Sequence, residues 1–135
     1  MLQALGGYVR YTHDTWSIDL SNNWIAEETD ECMAFYNPDG VGVIQISTYL
    51  KEAGDVTDED LLEFAEVINP DTADLPYLKG IHEASDDNGD VFLNWWLRSG
   101  PQLFYVTYIC KNGDELIEAE ERKYAVYSLR LHSVQ

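Results

Sequence analysis

Three histidines and two cysteines are the residues of this chain best suited to acid–base, nucleophilic or metal chemistry. His13, His82 and His132 lie far apart, and none has a second histidine or cysteine at a ligand spacing such as i, i+4. Cys32 and Cys110 each lie in an apolar run, where a free cysteine behaves as a small hydrophobic residue. We therefore expect two buried thiols in a reducing compartment, and no metal ion or cofactor.

Two short motifs resemble ligand loops but lack their full pattern. The segment "DDNGDV" has neither the residue order of a calcium loop nor its bidentate glutamate, so a hairpin turn with solvated charges explains it better. The "GVG" at Gly40–Gly42 leads into a strand rather than a helix, which argues against a phosphate loop. No G-x-S-x-G motif is present. We predict no catalytic residue and expect the protein not to be an enzyme; His82 is interpreted as a structural histidine.

The charge of the chain restricts its partners. With 25 acidic and 8 basic residues the formal net charge is -17, which disfavours binding to a nucleic-acid backbone and speeds encounter with a basic partner. Asp55–Glu66 and Asp86–Asp90 are the densest acidic segments. They could imitate the phosphate track of a nucleic acid, although solvated helix and turn charges account for them equally well.

Length and hydropathy predict one domain, residues 1–135, in the cytoplasm. The chain is long enough to bury its own core, and 45% of it is hydrophobic. Its apolar runs are shorter than the ~20 residues of a membrane span, and the amino terminus lacks the pattern of a signal peptide.

The hydrophobic pattern predicts strands first. "TWSIDL" alternates like a strand with one wet face, which would carry Ser17 and Asp19. "WIAEE" follows as a short strand. "ECMAFYNPDGVGVIQISTYL" is typical of a hairpin that turns at Asn37–Gly40.

A helix is predicted next, starting at an N-cap on Thr57 and ending at Asn69–Pro70. Its apolar face would hold Leu61, Phe64, Ala65 and Ile68.

The second half predicts a meander and a closing helix. "DTADLPYL" is interpreted as an irregular connection. Three long strands follow, "KGIHEAS", "VFLNWWLRS" and "QLFYVTYICK", with turns at Asn88–Gly89 and at Gly100–Pro101. From Asp114 to Val134 the pattern favours a long closing helix. Its stripe would hold Ile117, Glu121, Tyr124, Ser128 and Leu131.

Adjacent tryptophans on one strand point to opposite faces of a sheet. One face of the strand that carries Trp95 and Trp96 is wholly apolar and the other is mixed. With the similar strand next to it, both faces of the centre of the sheet are largely apolar, which suits a sheet covered on both sides. Trp95 is predicted to be core, and Trp96 is left open between core and an aromatic surface shared with Tyr49 and Tyr108. The predicted fold is α+β, an antiparallel sheet with helices packed on it in an α/β/α-type sandwich.

The order of these elements resembles the PsbP-like superfamily, which includes an extrinsic subunit of photosystem II and small bacterial proteins. The resemblance rests on "WSIDLSNNWIAEE", "DGVGVIQIS", the helix from Thr57, "FLNWWL" with "LFYVTYIC", and the closing "YSLRL". The sequence departs from the pattern at the turn Ser21-Asn22-Asn23-Trp24, where many relatives place a proline before the tryptophan. The resemblance implies a scaffold of varied function, favours a binding or accessory protein, and carries over no functional residue.

Three functions remain open at this stage. The first is a non-enzymatic binding protein that engages a basic protein partner, as an immunity protein or an effector-associated chaperone does. The second is a small-molecule binder or enzyme with a pocket between sheet and helix, lined by Trp96, Tyr108 and Tyr49 with His82 as a polar group. The third is a nucleic-acid mimic. The residues predicted to contact a partner are Trp96, Tyr108, Tyr49, Asp58, Glu59, Asp86, Asp87 and Asp90.

Overall fold

The computed structural model describes residues 2–5 and 7–132, with side chains for 7–132. Within these residues, six strands precede the first helix, four lie between the two helices and one follows the second. The strands are β1 (Leu2–Leu5), β2 (Tyr8–Thr12), β3 (Trp16–Ser21), β4 (Ile25–Glu28), β5 (Met33–Tyr36), β6 (Gly42–Leu50), β7 (Asp71–Asp74), β8 (Lys79–Asp87), β9 (Asp90–Ser99), β10 (Gln102–Lys111) and β11 (Arg130–Leu131). The helices are α1 (Asp58–Ala65) and α2 (Ala119–Ser128). Neither of these described helices has the length and apolarity that crossing a membrane requires.

The strands form two antiparallel sheets, so the α+β class predicted from the sequence is confirmed. A four-stranded sheet has the order β1-β2-β3-β11, and a seven-stranded sheet has the order β4-β5-β6-β10-β9-β8-β7. The sequence predicted one sheet, because β3 was read together with the hairpin that follows it. In the structure β3 pairs with β2 and β11, and its apolar side chains pack face to face against the other sheet.

The main core lies between these two sheets. Trp16, Ile18 and Leu20 of β3 meet Phe35 of β5 and Phe104 of β10 there. Helix α2 lies beside the four-stranded sheet in the same layer and contributes Ala125 and Val126 to this core, and Leu129, directly after the helix, is buried there as well.

A second, smaller core lies on the opposite face of the seven-stranded sheet. We call this face, which turns away from the four-stranded sheet, the outer face. Helix α1 covers part of it, and Leu61 of the helix packs with Trp96 and Leu103. The central strands are therefore covered on the inner face and, where α1 lies, on the outer face as well, so the predicted coverage on both sides holds for only part of their length.

Helix α1 starts as predicted and ends earlier. Thr57 Oγ1 accepts from the Asp60 amide at 3.1 Å, and the Asp60 carboxylate accepts from the Thr57 amide at 2.9 Å, which forms a capping box. The helix stops at Ala65 because Glu66 turns into the left-handed region with φ 56°. Ile68, predicted on the apolar face, is 91% exposed.

The prediction of a long closing helix was wrong at both ends of the helix, because α2 spans only Ala119–Ser128. Turns occupy the segment before Ala119, so Ile117 lies outside α2 and is 64% exposed. After Ser128 the chain extends, and Leu131 pairs with Trp16 as part of β11. An unpaired edge of β3 requires hydrogen-bond partners, and two strand residues meet that need better than another helical turn would. Val134 lies outside the described residues.

Two further predictions need correction. The connection "DTADLPYL" contains β7, which pairs antiparallel with β8. Ser17 and Asp19 were predicted on a wet face, yet they are buried. Arg10 from β2 and Arg130 from β11 both approach the Asp19 carboxylate from that face and cover it.

The hairpin turns are confirmed. β8 and β9 are joined by Asn88 and Gly89, whose φ values of 51° and 86° are those of the tight turn that the Asn-Gly pair favours. β9 and β10 are joined by Gly100–Pro101, with Gly100 at φ 56°.

Candidate functional site

The part of the outer face that α1 leaves uncovered forms a depression with a volume of about 790 Å³. We call it the cleft. It crosses β6, β10 and β9 and is bounded on one side by the loop between β4 and β5. Its lining residues are Thr29, Asp30, Glu31, Cys32, Gln45, Ser47, Tyr49, Phe92, Tyr105, Thr107 and Ile109.

A row of polar side chains runs across the floor of the cleft. Strand register places Thr107 of β10 between Gln45 of β6 and Asn94 of β9. Thr107 is 6% exposed and Asn94 8%. Within residues 7–132, Thr107 Oγ1 is the buried side-chain oxygen or nitrogen for which the structure shows no hydrogen-bond partner. A buried hydroxyl without a partner costs about 1–3 kcal/mol, so this oxygen is an unusual feature of the floor of the cleft.

Aromatic side chains surround this polar row. Tyr105 stacks on Trp96 with ring centroids 5.6 Å apart, and its hydroxyl donates to Asn94 Oδ1 at 3.4 Å. Burial, and then the neighbouring Tyr49, raise the pKa of Tyr105 above its usual value, so this hydroxyl stays a neutral donor. The cleft therefore offers flat apolar surfaces beside hydrogen-bonding groups.

The rim of the cleft is acidic. Asp30 and Glu31 lie in the loop after β4, which Thr29 stabilises: its Oγ1 accepts from the Cys32 amide at 3.0 Å. The register also places Glu27 at one end of the polar row. None of the described residues that line the cleft carries a positive charge.

These groups can bind a ligand by stacking, hydrogen bonding and attraction of positive charge. The one thiol in the cleft, Cys32 Sγ, lies 3.4 Å from Thr29 Oγ1, and it has no histidine among the cleft residues to activate it. Over the whole described chain, 2–5 and 7–132, no group of three or more His, Cys, Asp or Glu is placed to hold a metal ion.

Two of the predicted contact residues are buried and cannot form a surface. Trp96 is 6% exposed under α1, and Tyr108 is 0% exposed. Trp95, predicted to be core, is half-buried on the inner face and packs against the main core, and Trp96, which the sequence left open, is the more deeply buried of the two. Alternation along the strand placed the two rings on opposite faces correctly, but it could not indicate which face a helix would cover.

The other predicted contact residues are accessible but do not form one group. Tyr49 is 48% exposed at the edge of the cleft, where its ring lies 4.9 Å from that of Phe64 on α1. Asp58 at the start of α1 pairs with Arg98 at 2.7 Å. Glu59 lies next to it and is exposed. The remaining acids, Asp86, Asp87 and Asp90, flank the turn between β8 and β9.

A separate cavity of about 450 Å³ lies between α2 and strands β7 to β9 on the inner face. It contains His82 and Trp95, together with Asp71, Arg122 and Lys123. Asp71 is the cross-strand neighbour of His82, but the structure shows no hydrogen bond between them.

The pocket predicted to join His82 with Trp96, Tyr108 and Tyr49 is not formed, because none of these three lines the cavity that contains His82. Of the aromatic residues that the sequence assigned to it, Trp96 and Tyr49 lie on the outer face, and Tyr108 is in the main core.

Sequence reasoning missed a buried carboxylate. Glu118 is 6% exposed at the start of α2, and its Oε1 accepts from the Tyr108 hydroxyl at 2.7 Å and from the Gly42 amide at 2.9 Å. Among 25 acidic residues no local signal distinguishes this one. The glycine at position 42 is an indirect sign of this site. A Cβ there would overlap the Tyr108 ring, whose hydroxyl bonds to Glu118.

Comparison with known proteins places the fold. No family model matches the sequence, and no curated protein matches it either. The structure of a protein from Bacteroides thetaiotaomicron VPI-5482 is similar with a TM-score of 0.68 and 18% identity, over 87% of this chain and 45% of that one. This chain thus spans less than half of that protein. The solution structure of cyanobacterial PsbP (CyanoP) from Synechocystis sp. PCC 6803 is similar with a TM-score of 0.50 and 10% identity, over 96% of this chain and 95% of that one.

At these identities the likeness shows the fold alone: the chain has a PsbP-like fold, as the sequence resemblance implied.

Proposed function

We propose that this protein, with its PsbP-like fold, is a non-enzymatic binding protein that receives a basic segment of a protein partner in the cleft. The observation that supports this most is the combination in one place of an acidic rim, exposed aromatic surface and a buried hydroxyl without a partner. The cleft has the volume of a typical ligand-binding site, and its lining is more polar than is usual, which suits a charged peptide segment better than an apolar small molecule.

Charge supplies the first part of the argument. A net charge of -17 attracts a basic segment from a distance and raises the rate of encounter. Close to the surface, Asp30 and Glu31 offer carboxylates at the rim, and no lining residue competes with an incoming cation. Specificity for positive charge follows from this arrangement.

Shape and polarity supply the second part. The aliphatic stem of a lysine or arginine can lie along Phe92 and Tyr105 while its charged head reaches the rim. Backbone or side-chain groups of the segment can bond to Gln45 and to the Thr107 hydroxyl, which has no bond of its own to lose.

The proposal places the protein in the cytoplasm, in the role of an immunity protein or effector-associated chaperone. Cys32 and Cys110 are both free thiols, which suits a reducing compartment.

The test is an amide NMR titration with two blocked peptides, one of lysine, glycine and a single phenylalanine, the other with glutamate in place of each lysine. We expect the lysine peptide to shift the amides of Gln45, Tyr105 and Thr107. The double variant Asp30→Asn/Glu31→Gln should bind the lysine peptide with about three- to tenfold lower affinity, because two modest ion pairs are lost.

The matched control removes the same charge elsewhere. Asp39 is exposed in the turn after β5, and Glu121 is exposed on α2, so Asp39→Asn/Glu121→Gln changes the net charge equally without touching the cleft. A lysine peptide that shifts no cleft amide, or that responds identically to both double variants, would overturn the proposal.

The inner cavity carries a second candidate function, the binding of a small organic molecule. Its half-buried Trp95 and its mixture of acidic and basic side chains favour a zwitterionic aromatic ligand. Free tryptophan is a suitable probe: it should shift the amides of His82 and Trp95 in the wild type and fail to do so in Lys123→Glu. Unchanged spectra at millimolar probe would remove this candidate.

A further inference from the structure

Exposed tyrosines concentrate on the side of the protein opposite the cleft. Tyr77, Tyr124 and Tyr127 are 58%, 42% and 38% exposed, and Tyr8 stacks on Tyr124 with centroids 3.9 Å apart. Tyr8 lies on the face of the four-stranded sheet that turns away from the core, because its strand neighbours Val9 and Tyr11 alternate with it and Tyr11 packs on the core.

Basic side chains gather at the same place. Arg10, Lys123 and Arg130 line a depression of about 460 Å³ with these tyrosines, and they are three of only eight basic residues in the chain. The Arg130 guanidinium lies 5.4 Å from the centroid of the Tyr77 ring, and Lys123 Nζ lies 5.4 Å from that of Tyr127. We call this group of six residues, Tyr77, Tyr124, Tyr127, Arg10, Lys123 and Arg130, the tyrosine patch.

A buried carboxylate holds two of these cations in position. Arg10 Nε lies 2.8 Å from Asp19 Oδ1, and an Arg130 terminal nitrogen lies 3.6 Å from Asp19 Oδ2. Ser128 Oγ accepts from the Asp19 amide at 2.7 Å and fixes the backbone beneath them. The lining holds three cations (Arg10, Lys123 and Arg130) and two carboxylates (Asp19 and Glu120), so three positive minus two negative charges leave a net charge of +1.

We propose that the tyrosine patch is a docking surface for an acidic segment of a protein partner. Its charge is opposite in sign to the protein as a whole, so the complementarity is local and specific to this place. Tyrosine and arginine are the residues that most often dominate binding energy at protein interfaces. Carboxylates of the segment pair with Lys123 and the guanidinium edges, and an aromatic side chain packs on Tyr77 and Tyr124.

The cleft and the tyrosine patch should differ in how their binding affinities change with salt concentration. At ionic strength of about 0.01 M the screening length is about 30 Å, so an acidic segment experiences the repulsion of the whole protein. Near 0.15 M it falls to about 8 Å and the segment experiences mainly the patch. Binding of an acidic segment should therefore strengthen over this range, whereas binding of a basic segment in the cleft should weaken.

The probe is the glutamate peptide defined above, with a single phenylalanine between glycines and glutamates. We expect it to shift the amides of Tyr77, Tyr124 and Tyr127, and to bind more tightly at 0.15 M than at 0.01 M salt. Lys123→Gln should reduce its affinity about threefold. Lys111→Gln is the matched control, because Lys111 is exposed, carries the same charge and lies outside the patch.

Three results would overturn the proposal: shifts confined to the cleft, equal effects of the two lysine substitutions, or blocked glutamate alone binding as tightly as the peptide. The last would indicate a site for free carboxylates rather than for a protein segment. The outcome is independent of the cleft, because the lysine peptide and the Asp30→Asn/Glu31→Gln variant test that site separately.

Discussion

The Tyr108 hydroxyl and the Glu118 carboxylate form a buried hydrogen bond of 2.7 Å that joins β10 to the start of α2. The Gly42 amide donates to the same oxygen at 2.9 Å, so β6 is fastened to it as well. The Arg122 guanidinium lies over the face of the Tyr108 ring, 4.9 Å from its centroid. A single carboxylate thus fixes the position of the helix against two central strands.

Alkaline pH should weaken this arrangement. Burial, and then the hydrogen bond to Glu118, raise the pKa of Tyr108 far above its ordinary value. Below about pH 10 the tyrosine is neutral in both the folded and the unfolded chain, so its contribution to stability is intact. Above about pH 10 only the unfolded chain ionises, and stability falls by about 1.4 kcal/mol for each pH unit.

Urea unfolding of the wild type and of Tyr108→Phe across this range checks the prediction. The wild type should lose stability more steeply than the variant above about pH 10. Parallel pH dependences of the two proteins would show that Tyr108 ionises equally in both states.

Replacing the Thr107 hydroxyl, which has no hydrogen-bond partner, by a methyl group should stabilise the protein. Thr107→Val keeps the shape of the side chain and removes a buried oxygen that the structure leaves without a partner. We expect the free energy of unfolding to rise by about 1 kcal/mol, because an unsatisfied buried hydroxyl costs about 1–3 kcal/mol. The same variant should bind the lysine peptide more weakly than the wild type. Denaturant unfolding gives the first quantity, and a fall in stability would show that the hydroxyl is bonded after all.

The two tryptophans should contribute unequally to stability. Trp96 is 6% exposed and packs between Tyr105 and α1, so Trp96→Ala should cost about 3–5 kcal/mol. Trp95 is half-buried beside the inner cavity, and Trp95→Ala should cost clearly less. Urea midpoints of the two variants decide the order. The opposite order would place Trp95 in the core, as the sequence predicted.

The capping box of α1 should make a measurable contribution to the free energy of unfolding. Thr57→Ala removes the side-chain bond to the Asp60 amide and should lower stability by about 1 kcal/mol. Thr72→Ala serves as the control, because Thr72 is exposed on β7 and the substitution should stay within about 0.5 kcal/mol of the wild type. Equal losses in the two variants would show that the capping box contributes nothing of its own.

Local signals predicted much of the fold. Asn88–Gly89 specified a tight hairpin because these residues adopt positive φ easily, and Thr57 specified a helix start because its hydroxyl bonds to an amide three residues later. Each signal involves only neighbours in sequence, so it can be read without knowledge of the rest of the chain.

The failures involve partners that are distant in sequence. Ser128 bonds to the backbone of Asp19, 109 positions away, and Leu131, shortly after it in the chain, pairs with Trp16. Nothing in the sequence near residue 131 indicates that this segment will pair with the edge of β3. For the same reason a helical pattern was extended through a segment that forms β11.

By itself the sequence determined the alternation of apolar residues, the turns, the acidity and, through these, an antiparallel α+β fold. Only the tertiary structure decided which half of the outer face α1 would cover, and hence that Trp96 is core while Thr107 opens onto a cleft. It also decided that Arg10, Lys123 and Arg130 would meet beside the tyrosines. The reason is physical: alternation fixes the face to which a side chain points, whereas its burial and its neighbours depend on elements that dock from elsewhere in the chain.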